Sequence, residues 1–214
     1  MKPDRRFLLA DPAHFVALGF GSGLWPKGPG TAGTLAGWLL FPFVKAPLSD
    51  PLFGALLVAC FLFGIIACER TGRSLGVADH GAIVWDEIVA IWLVLWLTPA
   101  TLAWQAAAFA LFRFFDIVKP QPARYFDEHV KNGFGVMADD LVASIYAALA
   151  MLRGYSTTDR GRSAKRFTVC LASSGSSLPL ATRSSPVQSC FTIRLISFFA
   201  NLLSVIRIRA SSLC

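Results

Sequence analysis

Ile88 to Phe112 is a run of twenty-five residues without one charged side chain, broken only by Pro99. A run of that kind has two stable fates. It crosses a membrane, or it forms helices of a compact bundle that are buried nearly all round. Pro99 lacks an N–H and clashes with a preceding turn, so it separates two helices rather than kinking one. Leu52 to Ala67 adds sixteen uncharged residues, near the lower length limit for a span, and Leu141 to Leu152 forms a further apolar helix. Strand signals are weak, and neither an internal repeat nor a heptad seam is visible. Both helical readings stay open, and the balance leans to membrane embedding or firm association. Only 15% of residues are charged, against about 25% in soluble domains. That scarcity rules out a disordered chain and argues against an ordinary soluble enzyme. Five cysteines without paired or metal-like spacing exclude a disulfide scaffold and a zinc module.

The net charge of +7 has an address. Residues 1–154 hold 12 Lys+Arg and 12 Asp+Glu; residues 155–214 hold 8 Lys+Arg and the single acid Asp159. The later segment also carries 13 Ser and none of the 6 Trp. Two units follow: a helical domain over 1–154 and a basic, Ser-rich tail over 155–214. The tail reads as non-native sequence, such as translation past a frameshift, or as disordered chain. Only Phe191 to Ile206 has the pattern of an ordered element, an amphipathic basic helix for an anionic lipid surface. The basic balance therefore makes no case for nucleic acid binding by the main domain. Met1 to Ala10 is basic and then apolar, but Asp11 and Pro12 interrupt it before a signal peptide can form. Catalytic parts are expected to face the cytoplasm.

Gly19 to Thr34 holds six glycines and two prolines, a composition foreign to a helix interior. A loop is predicted here, ending where Gly33-Thr34-Leu35 opens an apolar run, with Thr31 or Thr34 as the N-cap.

In so apolar a chain the acids carry the information, because an unpaired buried carboxylate is costly. The first cluster is Asp79-His80 followed by Asp86-Glu87. Asp79 and Asp86 are seven apart, as are His80 and Glu87, so each pair shares a face if the helix starts that early. Oxygen ligands converging this way suit a hard cation such as Mg²⁺. The plain alternative makes Asp79 an N-cap and pairs Asp86 and Glu87 with a basic residue elsewhere. The second cluster is Arg113, Asp116 and Lys119, one stripe of a helix that ends before Pro120. Arg113 offers a planar fork for phosphate and Lys119 a point charge. Alternatively, Arg113–Asp116 is an intrahelical ion pair and Lys119 complements the helix C-terminus. The third cluster is Asp139-Asp140, opening an apolar helix after the loop Asn132 to Gly135. One of these acids can simply cap the helix. With the first cluster, however, the carboxylates suffice for one or two Mg²⁺ ions. His14 and His129 are isolated, Cys60 and Cys68 read as packing residues, and Asp127 and Glu128 read as a solvated face.

What is missing narrows the chemistry. The chain has no C-x-x-x-x-x-R, no D-x-D-x-[TV] and no P-loop G-K-[ST], and Gly19-Phe-Gly-Ser-Gly23 is not G-x-G-x-x-G.

Taken in order, four segments resemble the phosphatidylglycerophosphatase A family. Its signature is a G-x-G-x-x-P-x-x-P-G-T-x-G-[ST] loop, then D-H-G-x-I-V-W-D-E, F-R-x-F-D-I-x-K-P and G-[ILMF]-G-[IV]-M-x-D-D. Here these read Gly21 to Thr34, Asp79 to Glu87, Phe112 to Pro120 and Gly133 to Asp140. The likeness covers roughly residues 15–153. It departs at Ala90, where members often carry Gly, and over 155–214, which has no counterpart. The resemblance implies an all-α, membrane-associated bundle with one central apolar helix. It implies a Mg²⁺-dependent lipid phosphatase of the bacterial inner membrane, active site toward the cytoplasm. The substrate implied is phosphatidylglycerophosphate, cleaved to phosphatidylglycerol and phosphate.

On that footing, Asp86, Glu87 and Asp140, supported by Asp139 or Asp79, are expected to hold the metal. Arg113 and Lys119 are expected to neutralise the phosphate oxygens, Asp116 to orient Arg113 or act as base, and His80 to protonate the leaving oxygen. The loop Gly21 to Thr34, with Lys27, is expected at the headgroup. Two rivals remain. One is a non-enzymatic transport or assembly subunit of the membrane, whose acids should spread along several helices. The other is a phospholipid phosphotransferase, whose run of spaced Asp with an Ala-Arg pair is missing here.

Overall fold

The computed structural model describes residues 2–173, and side chains through residue 154. Eight α-helices and one 3₁₀ segment, with no strand among the described residues, make up this region. They are α1 (Arg5–Ala10), α2 (Pro12–Ala17), the 3₁₀ segment (Gly19–Leu24), α3 (Pro29–Lys45), α4 (Asp50–Leu75), α5 (Trp85–Leu97), α6 (Leu102–Val118), α7 (Ala123–His129) and α8 (Gly133–Ser173).

The architecture is set by α5. All thirteen of its residues are buried, polar and apolar alike. α3, α4, α6 and α8 pack around it, which is the central-helix bundle expected. A helix apolar on every side has no solvent face to offer, so it must be enclosed. Its three tryptophans show how completely it is enclosed. Trp85 Nε1–H donates to the Cys60 carbonyl (3.1 Å), Trp92 Nε1–H to the Gly37 carbonyl (2.8 Å) and Trp96 Nε1–H to Asp50 (3.2 Å). Each indole thus buries its rings and satisfies its one donor on a neighbouring helix. Pro99 falls between α5 and α6, as its chemistry requires.

Four boundaries differ from expectation. α3 begins at Pro29 rather than after Gly33, and its N-cap is Gly28 at φ +67°, not Thr31 or Thr34. Gly30 and Gly33 thus lie inside a helix where composition alone reads a loop, and Gly37 continues their row. They form one stripe, and a Cβ at Gly33 or Gly37 would sit 2.5 Å from Val84 or 2.7 Å from Ile91. The backbone entropy that glycine costs a helix is offset by this close approach to α5. α5 itself begins at Trp85, so Asp79 and His80 precede it, and their seven-residue spacing from Asp86 and Glu87 sets no common helical face. α8 begins at Gly133, not near Leu141, because Gly133 N–H is taken by Glu69 of α4 (2.6 Å) and Gly135 N–H by Asn132 (3.0 Å). Asp139 and Asp140 are therefore in its second turn and cap nothing. Finally, α8 runs on to Ser173, across the change of composition at residue 155. Adding a residue to an existing helix fixes one residue for one hydrogen bond, so polar sequence can continue a helix it would not nucleate. Phe191 to Ile206, the predicted amphipathic helix, lies outside the described residues.

α4 and the Gly133–Gly154 part of α8 are long and apolar enough to cross a membrane. Large apolar side chains also point outward from α3 (Leu39, Phe43), α4 (Leu52, Ile66) and α6 (Leu102, Ile117). Monomeric soluble domains rarely leave so much apolar surface uncovered, so this exterior suits membrane association.

Candidate active site

The site lies where α5 begins, at the convergence of α3, α6 and α8. Asp86 and Glu87 stand in the first turn of α5, where the helix dipole favours negative charge. α8 brings Asp140 to them. One carboxylate oxygen from each of Asp86, Glu87 and Asp140 lies within 4.8 Å of the others. Asp86 Oδ1, Glu87 Oε2 and Asp140 Oδ2 are all buried and accept no hydrogen bond. Three orphaned carboxylate oxygens in one buried spot are expensive, several kcal/mol each by desolvation. Burial, and then the charge of Glu87, push the Asp86 carboxyl well above the usual range. Burial, and then the charge of Asp116, raise Glu87 to about 8 against the opposing pull of Arg113. An all-oxygen donor set with free lone pairs and excess negative charge fits a hard divalent cation.

α6 supplies the counter-charge. Arg113 Nη1 lies 2.7 Å from Asp116, 3.5 Å from Glu87 and 3.4 Å from Thr34 Oγ1. Its Nε–H is buried and has no partner. The glycine-rich motif reaches the same point through α3: a Cβ at Gly30 would collide with Glu87 Oε1 and lie 3.3 Å from the Arg113 guanidinium. Thr34, expected at a helix cap, instead donates to the Gly30 carbonyl (2.8 Å) and sits buried under Arg113.

A second layer adjoins the first. Lys119 occupies the C-cap of α6 in the left-handed region, φ +46°. That conformation ends the helix and turns the ammonium toward Asp127 (2.7 Å) and Asp139 (2.8 Å). Burial alone lowers a lysine, but here the charges of Asp139 and Asp127 outweigh it and hold Lys119 protonated. Asp139 is doubly engaged, because its Oδ1 also accepts from Asp140 N–H (2.9 Å). It therefore orients the turn that presents Asp140 rather than joining the converging triad. Asp79 lies in a small recess with Asp127 and Asp139, outside the triad as well. His80 holds the turn before α5, its Nδ1 accepting from Ala82 N–H (3.2 Å). No hydrogen bond or ion pair joins His80 to the acids among the described residues.

One contributor is not legible in the sequence, and two are legible only as members of the headgroup loop. Asp127 reads as solvated but is the closer partner of Lys119. Gly30 and Thr34 read as loop and cap. Only the turn at Lys119-Pro120 hints that Asp127 doubles back on α6. The residues read as bland prove to be structural: His14 is buried, stacks on Phe7 and contacts Ser74 (3.2 Å), and Cys68 is buried beside Met137.

The family model for phosphatidylglycerophosphatase A matches residues 15–154. A phosphatidylglycerophosphatase A from Haemophilus influenzae is 49% identical over 151 residues, covering 70% of this chain and 92% of that protein. One from Escherichia coli is 41% identical over 147 residues, covering 67% of this chain and 83% of that protein. No solved structure matches the chain. The region matched contains every residue of the site just described, and on the strength of that match the chain belongs to the phosphatidylglycerophosphatase A family.

Proposed function

We propose that the protein hydrolyses the terminal phosphomonoester of phosphatidylglycerophosphate, yielding phosphatidylglycerol and phosphate, with Mg²⁺ held by Asp86, Glu87 and Asp140. The relatives named above carry that activity in their names. The observation that carries the metal assignment is the trio of buried, partnerless carboxylate oxygens. When bound, a divalent cation supplies charge for the phosphoryl oxygens and lowers the pKa of a water.

The chain's own residues do the rest. Arg113 is fixed by Asp116 on one side and Glu87 on the other, which leaves Nε–H free for a phosphoryl oxygen. Asp116, paired at 2.7 Å with the guanidinium, is thereby an orienting group. Lys119 spends two donors on Asp127 and Asp139, so it chiefly holds the α8 turn and has one donor left for substrate. Because Nδ1 of His80 accepts from Ala82, the proton resides on Nε2. A neutral ring offers that Nε2–H as a hydrogen bond to an oxygen of the substrate, while the attacking water supplies the proton that the leaving glycerol oxygen takes up as the P–O bond breaks and the water oxygen bonds to phosphorus.

The exterior supports a position at a membrane. The apolar faces of α3, α4 and α6 suit a bilayer, and the protein is proposed to sit in the bacterial inner membrane with the site toward the cytoplasm. The rival transport or assembly role requires acids distributed through the helices. Here Asp86, Glu87, Asp116 and Asp140 meet at one end of α5, beside a guanidinium. The deciding experiment is phosphate release from phosphatidylglycerophosphate by purified protein, with Mg²⁺ and with EDTA. Release in EDTA equal to that in Mg²⁺ removes the metal assignment, and no release in either removes the phosphatase.

A further inference from the structure

α3 has two different faces. Gly30, Gly33, Thr34 and Gly37 face α5 and the site, while Thr31, Leu35 and Leu39 lie on the opposite side at helical spacing. Between that outer face and the segment Ser22–Gly28 runs an open groove of about 380 Å³, lined mainly by Trp25, Ala32, Leu35, Ala36 and Leu39. Its lining is almost wholly apolar, and Leu39 and Trp25 at its edges are 64% and 63% exposed. Lys27 and Gly28 line its other end. Lys27 makes no ion pair among the described residues.

We propose that this groove holds one acyl chain of the lipid substrate, with Lys27 facing the internal phosphodiester. The assignment rests on the phosphatase reading and deepens it. Size supports it, since ligand pockets run about 300–1,000 Å³ and this groove is at the narrow end, fit for a chain rather than a helix. Length supports it: Gly28 to Leu39 along α3 spans about 16 Å at the rise of an α-helix. Order supports it most. Along the lipid, acyl chain, phosphodiester, glycerol and terminal phosphate follow one another. Along the protein, groove, Lys27, the Gly28–Gly30 tip of α3 and the Arg113–Glu87 pair follow in the same order. Gly28 lines the groove and Gly30 abuts the Glu87 carboxylate, so groove and site are continuous around the end of one helix.

The test separates chain binding from membrane attachment. Ala36→Phe fills the groove but keeps the exterior apolar. In detergent mixed micelles it should raise KM for dioleoyl phosphatidylglycerophosphate at least about tenfold, because the acyl chain no longer buries its surface against α3. Hydrolysis of the deacylated, water-soluble headgroup should be unchanged, as should sedimentation with anionic vesicles. Leu39→Ala, at the exposed end, keeps the fold in any case and should raise KM more for long chains than for six-carbon chains. Quenching of Trp25 by chain-brominated phosphatidylglycerol, with Trp25→Phe subtracted, reads occupancy without turnover, and Ala36→Phe should abolish it. Equal loss on both substrates, no change on the lipid, or a matching loss of vesicle binding overturns the acyl groove. Quenching that Ala36→Phe abolishes, in a wild type that turns over neither substrate, keeps the groove and overturns the phosphatase.

Discussion

Asp86 and Glu87 are neighbours in the chain, and each leaves one buried oxygen without a donor. Such an arrangement is poor for stability and good for holding a cation. Asp86→Asn and Asp140→Asn should each lower turnover at least about a hundredfold, the scale for losing a group that stabilises transition-state charge. Circular dichroism should show unchanged helix content, and melting in EDTA should be unaltered or higher, because a partnerless charge has gone. The pH dependence has a defined sign. Glu87 titrates near 4.5 in an open chain and at about 8 in the fold, so the folded state keeps a proton that the unfolded state loses. The stability this contributes is complete below the lower value and is lost as pH rises through the higher one. A bound cation competes with that proton, so the gap between melting temperatures in Mg²⁺ and in EDTA should widen with rising pH across this window. A gap independent of pH argues that Glu87 is not a ligand.

At the scale of elements, α3 joins packing to chemistry. Its glycines divide the work along one stripe. Gly37→Ala places a Cβ 2.7 Å from Ile91 and 3.2 Å from the Ile88 backbone, so overpacking should cost about 1–3 kcal/mol in urea unfolding. Gly30→Ala instead meets the Glu87 carboxylate and the Arg113 guanidinium. Its main effect should be on turnover, with a smaller shift in the unfolding midpoint. The reverse ranking refutes this division. α8 shows the same economy. Glu69 accepts from Gly133 N–H, starting the helix two turns before its acids and aiming Asp140 inward. Glu69→Gln should weaken that start and reduce activity without touching substrate.

At the scale of the whole molecule, the family match ends at Gly154, and every described site residue lies before it. Truncation after Gly154 should therefore retain lipid phosphatase activity, although α8 continues to Ser173. An unfolded or inactive truncation shows that the continuation of α8 belongs to the fold. Much of the molecule was legible in the sequence by itself. Long uncharged runs marked apolar helices, Pro99 marked a break, and four acid-and-glycine motifs in order carried the resemblance that implied the all-α bundle and marked the site. These are local or compositional signals, carried by periodicity, backbone restriction and the cost of burying charge. Only the tertiary structure decided that Gly30 and Gly33 are helical, because the reason is the nearness of Glu87 and Val84, which are far away in sequence. It decided likewise that Asp140 joins Asp86 and Glu87 while Asp139 turns to Lys119, and that Asp127 completes that pair. Adjacent carboxylates on a helix point in directions about 100° apart, and which of them meets the metal site depends on how α8 is rotated against α5. That rotation is fixed by contacts between helices, which no spacing within a single helix encodes.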